Sequence, residues 1–496
     1  MLDQTKTPLL DTLRKSAQRS HAPFYAPGHK RGQGIPQSLA SLLGASVFRA
    51  DLPELPELDN LFAPEGVILE AQELAAAAFG AEQAWFLVNG STVGVMAAIL
   101  ATCGSGEKII LPRNIHQSVI AGLVLSGAIP VFINPEYDLS TDLAHSITPA
   151  AVADALKLHP DSKAVMMVYP TYYGVAGNVE AIAQLTHQYN IPLLVDEAHG
   201  PHFAFHPDLP PSALSAGADL AVQSTHKVLG AMTQASMLHI QGSRINAQRL
   251  NKALQLLQST SPSYLLLASL DAARQQMALS GEQLMSKTLQ LADYARNKLR
   301  QIPGLSILEP ARTPGFFALD RTRLTVRVTE LGLSGFEVDQ IFHQQLGVTA
   351  ELPTLQHLTF IISLGNTKQD IEQLVQAYIK LTQANYRPQS FNSWHELFRR
   401  WKDEFMFIHP SSFTLYPSLS PRQAFFAPTE TLPVEQTLDR ISAELVCPYP
   451  PGIPALMPGE MINPAAIDYL QQILRLGGSI TGCSDPSLKT LKVVSC

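Results

Sequence analysis

From Gly66 onward the chain alternates short, almost wholly apolar runs with longer amphipathic stretches. Ala84-Trp85-Phe86-Leu87-Val88, Lys108-Ile109-Ile110-Leu111, Pro130-Val131-Phe132-Ile133, Ala164-Val165-Met166-Met167-Val168 and Pro192-Leu193-Leu194-Val195 show no polar alternation. Continuous runs of this length predict strands buried on both faces, and the segments of helical length between them predict covering helices. The fold class is therefore α/β with a mostly parallel sheet. The most lipid-like stretch, Ser118 to Ile133, is short for a membrane span and is broken by Ser126-Gly127 and Pro130. It predicts a buried helix followed by a strand.

Further strands are expected at Leu220-Ala221-Val222 and at Ala235 to Ile240, followed by long helices to about Arg300. A second unit then carries the strands Leu324 to Val328 and Leu358 to Ile362 with a helix between them. After Tyr386-Arg387-Pro388 the text turns Pro-rich, as in Tyr449-Pro450-Pro451-Gly452-Ile453-Pro454. The opening residues, rich in Pro, Gly and acidic groups, show little periodicity and read as an extended arm that packs on another part of the protein. This gives an arm over 1–65, a large domain over 66–300, a small α+β domain over 301–388 and a C-terminal domain over 389–496.

Composition narrows the class. With 46% hydrophobic and 16% charged residues, the 496-residue chain has the make-up of an ordinary globular enzyme. A net charge of -7 without a Lys/Arg cluster argues against a nucleic-acid partner. Cys103, Cys447, Cys483 and Cys496 form no C-x-x-C pair, which suits reduced thiols rather than a disulfide framework or a zinc site. The amino end lacks the basic-then-apolar layout of a secretory signal, so a cytoplasmic location and no membrane partner are expected.

The chemistry concentrates at strand ends. Asp196 closes the apolar run Ile191 to Val195, at the edge where α/β sheets bind ligands. A carboxylate buried there needs a partner. Lys227 follows Ser224-Thr225-His226 just after another strand, and its stem is expected to be buried. This pairing suits pyridoxal phosphate: the amine condenses with the cofactor aldehyde, and the carboxylate keeps the ring nitrogen protonated and the ring electron-poor. Asn89-Gly90-Ser91-Thr92 opens a helix after the first strand, offering free N–H groups and hydroxyls to a phosphate, or serving only as an N-cap. His116, after the next strand, is either an aromatic lid on a flat ring or an ordinary histidine at a helix start. A metal site built from Asp196, His199, His202 and His206 is the competing reading. It leaves Lys227 without a role, and no metal is expected.

These motifs, in this order, resemble the bacterial Orn/Lys/Arg decarboxylases, a family of fold type I pyridoxal-phosphate enzymes. The resemblance runs from Pro27-Gly28-His29-Lys30 through Arg113-Asn114-Ile115-His116, Asp196-Glu197-Ala198-His199-Gly200 and Ser224-Thr225-His226-Lys227. It continues through Ser259-Thr260-Ser261-Pro262-Ser263-Tyr264 and Gly332-Leu333-Ser334-Gly335 to Pro450-Pro451-Gly452-Ile453-Pro454. It implies an aspartate-aminotransferase-like large domain with small and C-terminal α+β domains. It also implies that Lys227 forms the link to the cofactor, that Asp196 faces the ring nitrogen, and that His116 stacks on the ring. Ser91, Thr92, Ala198, His199, Ser224 and His226 are implied as further cofactor contacts, and Thr260 and Glu351 as residues facing the substrate side chain. Larger members carry an N-terminal wing domain for which there is no room before residue 66. A homodimer with shared active sites is implied, with a dimer of dimers as the larger alternative.

The implied reaction is decarboxylation of arginine, lysine or ornithine to agmatine, cadaverine or putrescine. Aminotransferases of this fold typically hold the substrate α-carboxylate with an arginine on a small-domain strand. Phe360-Ile361-Ile362-Ser363-Leu364-Gly365-Asn366 has none, although Arg327, on the other strand of that unit, remains an alternative. A carboxylate without a strong cationic clamp is easier to lose. Glu351, or the acidic arm Asp51 to Asp59 of a neighbouring subunit, is expected to meet the distal cation of the substrate. His226 or Lys227 is expected to return the proton to Cα. The rivals are a fold type I aminotransferase or carbon–carbon lyase and, from another class, a non-catalytic regulator that binds the cofactor or a polyamine.

Overall fold

Seven strands follow one another along the chain: β1 (Gln83–Leu87), β2 (Lys108–Pro112), β3 (Ile129–Ile133), β4 (Ala164–Val168), β5 (Leu193–Asp196), β6 (Leu220–Gln223) and β7 (Ser236–Ile240). They fall within a residue or two of the predicted runs. The computed structural model describes residues 2–383, 417–449 and 452–495. It resolves into two units, Met1–Thr102 with Leu194–Met285 and Cys103–Leu193 with Ser286–Cys496.

In the first unit the strand order is β1-β7-β6-β5. β5 and β6 are parallel, with Asp196 opposite Val222. β7 runs antiparallel to both β6 and β1. The connection over 224–235 carries only the short helix Thr225–Val228 and returns the chain antiparallel. β5, β6 and β7 are buried throughout, but β1 opens on exposed Gln83 and half-buried Trp85. β1 ends the strand order, so the predicted burial on both faces holds only in part there.

The helix Gly90–Thr102 follows β1 and lies hard against the sheet. A Cβ at Gly94 would stand 2.6 Å from Val222 Cγ1 and 2.8 Å from Leu87 Cδ1, so only glycine permits this approach. The amino-terminal segment differs from the extended arm that the sequence predicted. Pro8–Gln18 is a helix that buries Leu9, Leu13 and Ser16. Its start is tied to the long helix Tyr264–Leu299 through Asp271, whose carboxylate accepts the Leu9 and Leu10 N–H groups at 3.1 and 3.3 Å. Pro8 in the first turn and Leu9 and Leu13 four apart encode this helix. Asp59 starts the helix Val67–Phe79 by accepting the N–H groups of Gly66 at 2.8 Å and Ile68 at 3.1 Å.

In the second unit β4-β2-β3 are parallel, with Ile110 opposite both Val131 and Val165. The stretch predicted as a buried helix and strand is Gln117–Ser126 followed by β3, with Gly127 in the left-handed region ending the helix at φ 75. A four-stranded antiparallel sheet comprises β8 (Ser306–Ile307), β9 (Arg323–Arg327), β10 (Leu352–Pro353) and β11 (His357–Ile361), in the order β8-β9-β11-β10. The helix Lys368–Gln383 packs its Ile371, Leu374 and Tyr378 into the core of that layer. A last α+β set pairs Thr429–Pro433 with Thr490–Val494 and buries one face of the helix Pro464–Arg475. The predicted boundary at Tyr386-Arg387-Pro388, and Pro450 and Pro451 of the C-terminal motif, lie outside the described residues. Among the described residues no helix is long and apolar enough to cross a membrane.

Candidate active site

The carboxyl ends of β5 and β6 bring most of the expected residues together. Lys227, half-buried in the short helix Thr225–Val228, places Nζ 2.9 Å from His199 Nε2. An ammonium only donates, so the imidazole accepts at Nε2. Asp196 is 7% exposed, and its Oδ1 accepts the Ala198 N–H at 3.2 Å. Burial pushes its carboxyl above the usual range, and the Lys227 ammonium and the Ala198 N–H pull the other way without cancelling that rise. Ser224, fully buried, donates its hydroxyl to Ser91 Oγ at 2.7 Å, which puts the loop after β6 against the start of the helix Gly90–Thr102. Thr92, one residue on, is exposed. His226 donates from Nδ1 to Ala235 O at 2.9 Å.

Behind these ends lies a buried polar chain that the sequence reading did not single out. Glu197 is wholly buried and accepts the Ala213 N–H and the Gln223 side-chain amide, both at 2.7 Å. Gln223 in turn accepts from His239 Nε2 at 3.1 Å. Burial pushes the Glu197 carboxyl up to about 8 and the His239 imidazole down to about 3. Glu197 and Gln223 directly adjoin Asp196 and Ser224, so the chain fixes the two strand ends through their neighbours. The signal was present: a Glu inside the wholly buried stretch 191–200 and a His inside an apolar strand each require a partner.

His116 belongs to the second unit. It caps the helix Gln117–Ser126, with Nδ1 accepting the Ser118 N–H at 3.2 Å. Accepting a backbone N–H leaves Nδ1 without a proton, so the ring is the neutral Nε2–H tautomer. The two expected substrate contacts are exposed. Thr260 lies in the first unit and Glu351 in the second, where the Glu351 charge is felt by buried Arg323. The acidic arm is engaged locally: Asp51 pairs with His29 at 3.1 Å, Glu54 accepts from Asn60 at 3.0 Å and Glu57 accepts from Ser16 at 3.1 Å. Arg327 is also committed, donating to Ser140 O at 2.8 Å and Thr329 Oγ1 at 3.0 Å. Among the described residues no group of three or more His, Cys, Asp or Glu is placed to hold a metal.

Comparison with known proteins decides the family. The signature of the Orn/Lys/Arg decarboxylase major domain matches residues 7–424, and that of the C-terminal domain matches residues 403–484. The chain belongs to the Orn/Lys/Arg decarboxylase family. It is 38% identical to an arginine decarboxylase of Bacillus subtilis, over 99% of both chains. It is 40% identical to one from Halalkalibacterium halodurans, over 100% of this chain and 99% of the relative. The lysine decarboxylase of Francisella novicida, at 23% identity, shares the fold with a TM-score of 0.84 over 99% of this chain and 81% of its own. The chain is thus a pyridoxal-phosphate-dependent amino-acid decarboxylase of fold type I. The reading as an aminotransferase or a non-catalytic regulator gives way to this assignment.

The donor set suits that cofactor. A primary amine, a buried carboxylate and paired hydroxyls at a helix start match an aldehyde, a ring nitrogen and a phosphate. The hydroxyl of Thr225, between Ser224 and Lys227 in sequence, is buried without a hydrogen-bond partner. An orphaned donor at this point fits a ligand oxygen.

Proposed function

We propose that this decarboxylase acts on arginine, releasing carbon dioxide and agmatine. The observation that carries the site assignment is the 2.9 Å contact between Lys227 and His199 beside buried Asp196. The preference for arginine is supported by full-length relatives of that name at 38–40% identity, against 25–26% for relatives named lysine decarboxylase.

When bound, the cofactor takes into its ring the electron pair left at Cα as the carboxylate departs. The other roles belong to this chain's side chains. Lys227 would hold the cofactor, and until it does so His199 accepts from its free amine and fixes its direction. Asp196 keeps a proton on the ring nitrogen. Ser91, Thr92 and Ser224 would take the phosphate with the helix N-terminus, and Ala198 and His116 would contact the ring, the neutral imidazole adding no positive charge. With Arg327 committed elsewhere, the α-carboxylate escapes a strong cationic clamp. The proton that replaces carbon dioxide at Cα comes from Lys227 or from His226, whose Nδ1 donates to Ala235 O.

The distal guanidinium is assigned to Glu351 with Thr260, or to the acidic arm of a second copy in a cytoplasmic homodimer with shared active sites. The domain division is read as 1–65, 66–300, 301–388 and 389–496. Carbon dioxide and amine release from arginine, lysine and ornithine by cofactor-loaded protein tests the reading. Arginine should be consumed fastest, and lysine or ornithine outrunning it would overturn the substrate assignment. Borohydride reduction should leave cofactor mass on the peptide containing Lys227.

A further inference from the structure

In the second unit the segment Gly452–Glu460 is bound to the turn that carries His116. Arg113, 2% exposed at the end of β2, donates to Pro454 O at 2.8 Å, Ala455 O at 3.2 Å and Glu460 Oε2 at 3.1 Å. Glu460 is equally buried, and its Oε2 also accepts the Met457 N–H at 2.9 Å. At the other end of the segment, the Gln117 N–H donates to Gly452 O at 3.3 Å. Gly452 has φ +87, and a Cβ there would stand 3.8 Å from His116 Nε2 and 3.7 Å from Gln117 Nε2. Ser118 therefore meets the His116 ring at Nδ1, and its Nε2 side faces Gly452, where an added methyl group would come into van der Waals contact.

We propose that Gly452–Glu460 is a positioning element for His116, with Arg113 and Glu460 as the positioning residues that hold it in register. The inference rests on the reading that His116 lies against the cofactor. A buried Arg–carboxylate pair is a poor source of net stability, because an apolar pair of the same volume does as well without the desolvation cost. What the three donors of Arg113 supply is direction: they fix two carbonyls and one carboxylate of the same segment. A segment held in that way sets the backbone of Gly452, and with it the room left for the imidazole.

The test uses the full chain loaded with pyridoxal phosphate and the variants Glu460→Gln, His116→Ala and the double variant. Glu460→Gln should change the visible circular dichroism of the bound cofactor and lower kcat about tenfold, as small misplacements do, with KM within about twofold. In the His116→Ala background the same substitution should change neither quantity further. Equal effects in both backgrounds, or an effect confined to the melting temperature, would overturn the inference. His116→Ala leaving both the dichroism and kcat untouched would instead defeat the placement of His116, and the inference with it. Should Glu460→Gln fail to fold, Arg113→Lys keeps the charge pair, gives up the forked contact, and must show the same dependence on His116.

Discussion

Ser224 Oγ donates to Ser91 Oγ at 2.7 Å, joining the loop after β6 to the first turn of the helix Gly90–Thr102. Gly94 makes the contact possible by letting that helix descend onto Val222 and Leu87. Two hydroxyls at a helix N-terminus form a ready seat for a phosphate, since each can turn its proton outward to a ligand oxygen. Ser91→Ala removes one of them. Loss of a hydrogen bond to a charged group costs about 1.5 to 3 kcal/mol, so cofactor affinity should fall roughly ten- to hundredfold. Titration of the apoprotein with pyridoxal phosphate measures it, and an unchanged dissociation constant would remove Ser91 from the site.

Glu197 gives the fold a pH dependence of unusual sign. Burial raises its carboxyl from an ordinary 4.5 to about 8, so between these values the folded chain holds a proton that the unfolded chain has lost. Folded stability from this group is therefore greatest in acid and declines as pH rises from about 4.5 to about 8. Glu197→Gln cannot titrate and sets an amide against one of two N–H donors, at a cost of about 1 to 3 kcal/mol. The variant should melt below the parent near about pH 5, and the gap should narrow towards about pH 8. A gap that is constant or widens across this range contradicts the assignment.

Much of this was legible in the sequence, and for definable reasons. The strands β1 to β7 are mostly apolar runs, as burial on both faces favours, although β1 opens on exposed Gln83 and β7 carries buried His239. Asp196 and Lys227 stand out because charged groups at the ends of such strands need partners. Strand direction was less legible: neither Ser236–Ile240 nor the length of the connection before it distinguishes an antiparallel return from a parallel one. The helix Pro8–Gln18 escaped notice because the Pro- and Gly-rich text after it dominates the segment, while its own anchors, Asp271 and Arg274, lie far away in sequence. The Glu197–Gln223–His239 chain escaped for the same kind of reason, as each member finds its partners at positions distant in sequence.

The amino-terminal helix depends on one buried pair. Asp271 and Arg274 are both fully buried and bonded to each other, and Arg274 also donates to Gln4 O at 2.9 Å and Lys6 O at 2.7 Å. Asp271→Ala strips the Leu9 and Leu10 N–H groups of their acceptor and leaves a buried guanidinium without its counter-charge. Breaking a pair of this kind costs about 3 to 5 kcal/mol. Urea unfolding should show that loss, and limited proteolysis should cut first within residues 1–20. A change below about 1 kcal/mol would mean that water reaches Arg274 and that the helix is held by Leu9 and Leu13 alone.

His199 offers the sharpest separation of chemistry from structure. Its Nε2 accepts from Lys227 Nζ, and its ring is 6% exposed, so both the acceptor and the bulk have consequences. His199→Phe keeps most of the bulk and removes the acceptor. The ring pocket should persist, and cofactor should still bind at one equivalent per chain. The amine of Lys227 would then lack the neighbour that orients it and shares its proton, and kcat should fall between about tenfold and a hundredfold with KM little changed. His199→Gln restores an acceptor at a similar reach and should recover part of the loss. Equal rates for the Phe and Gln variants would show that the imidazole serves only to fill space beside Lys227.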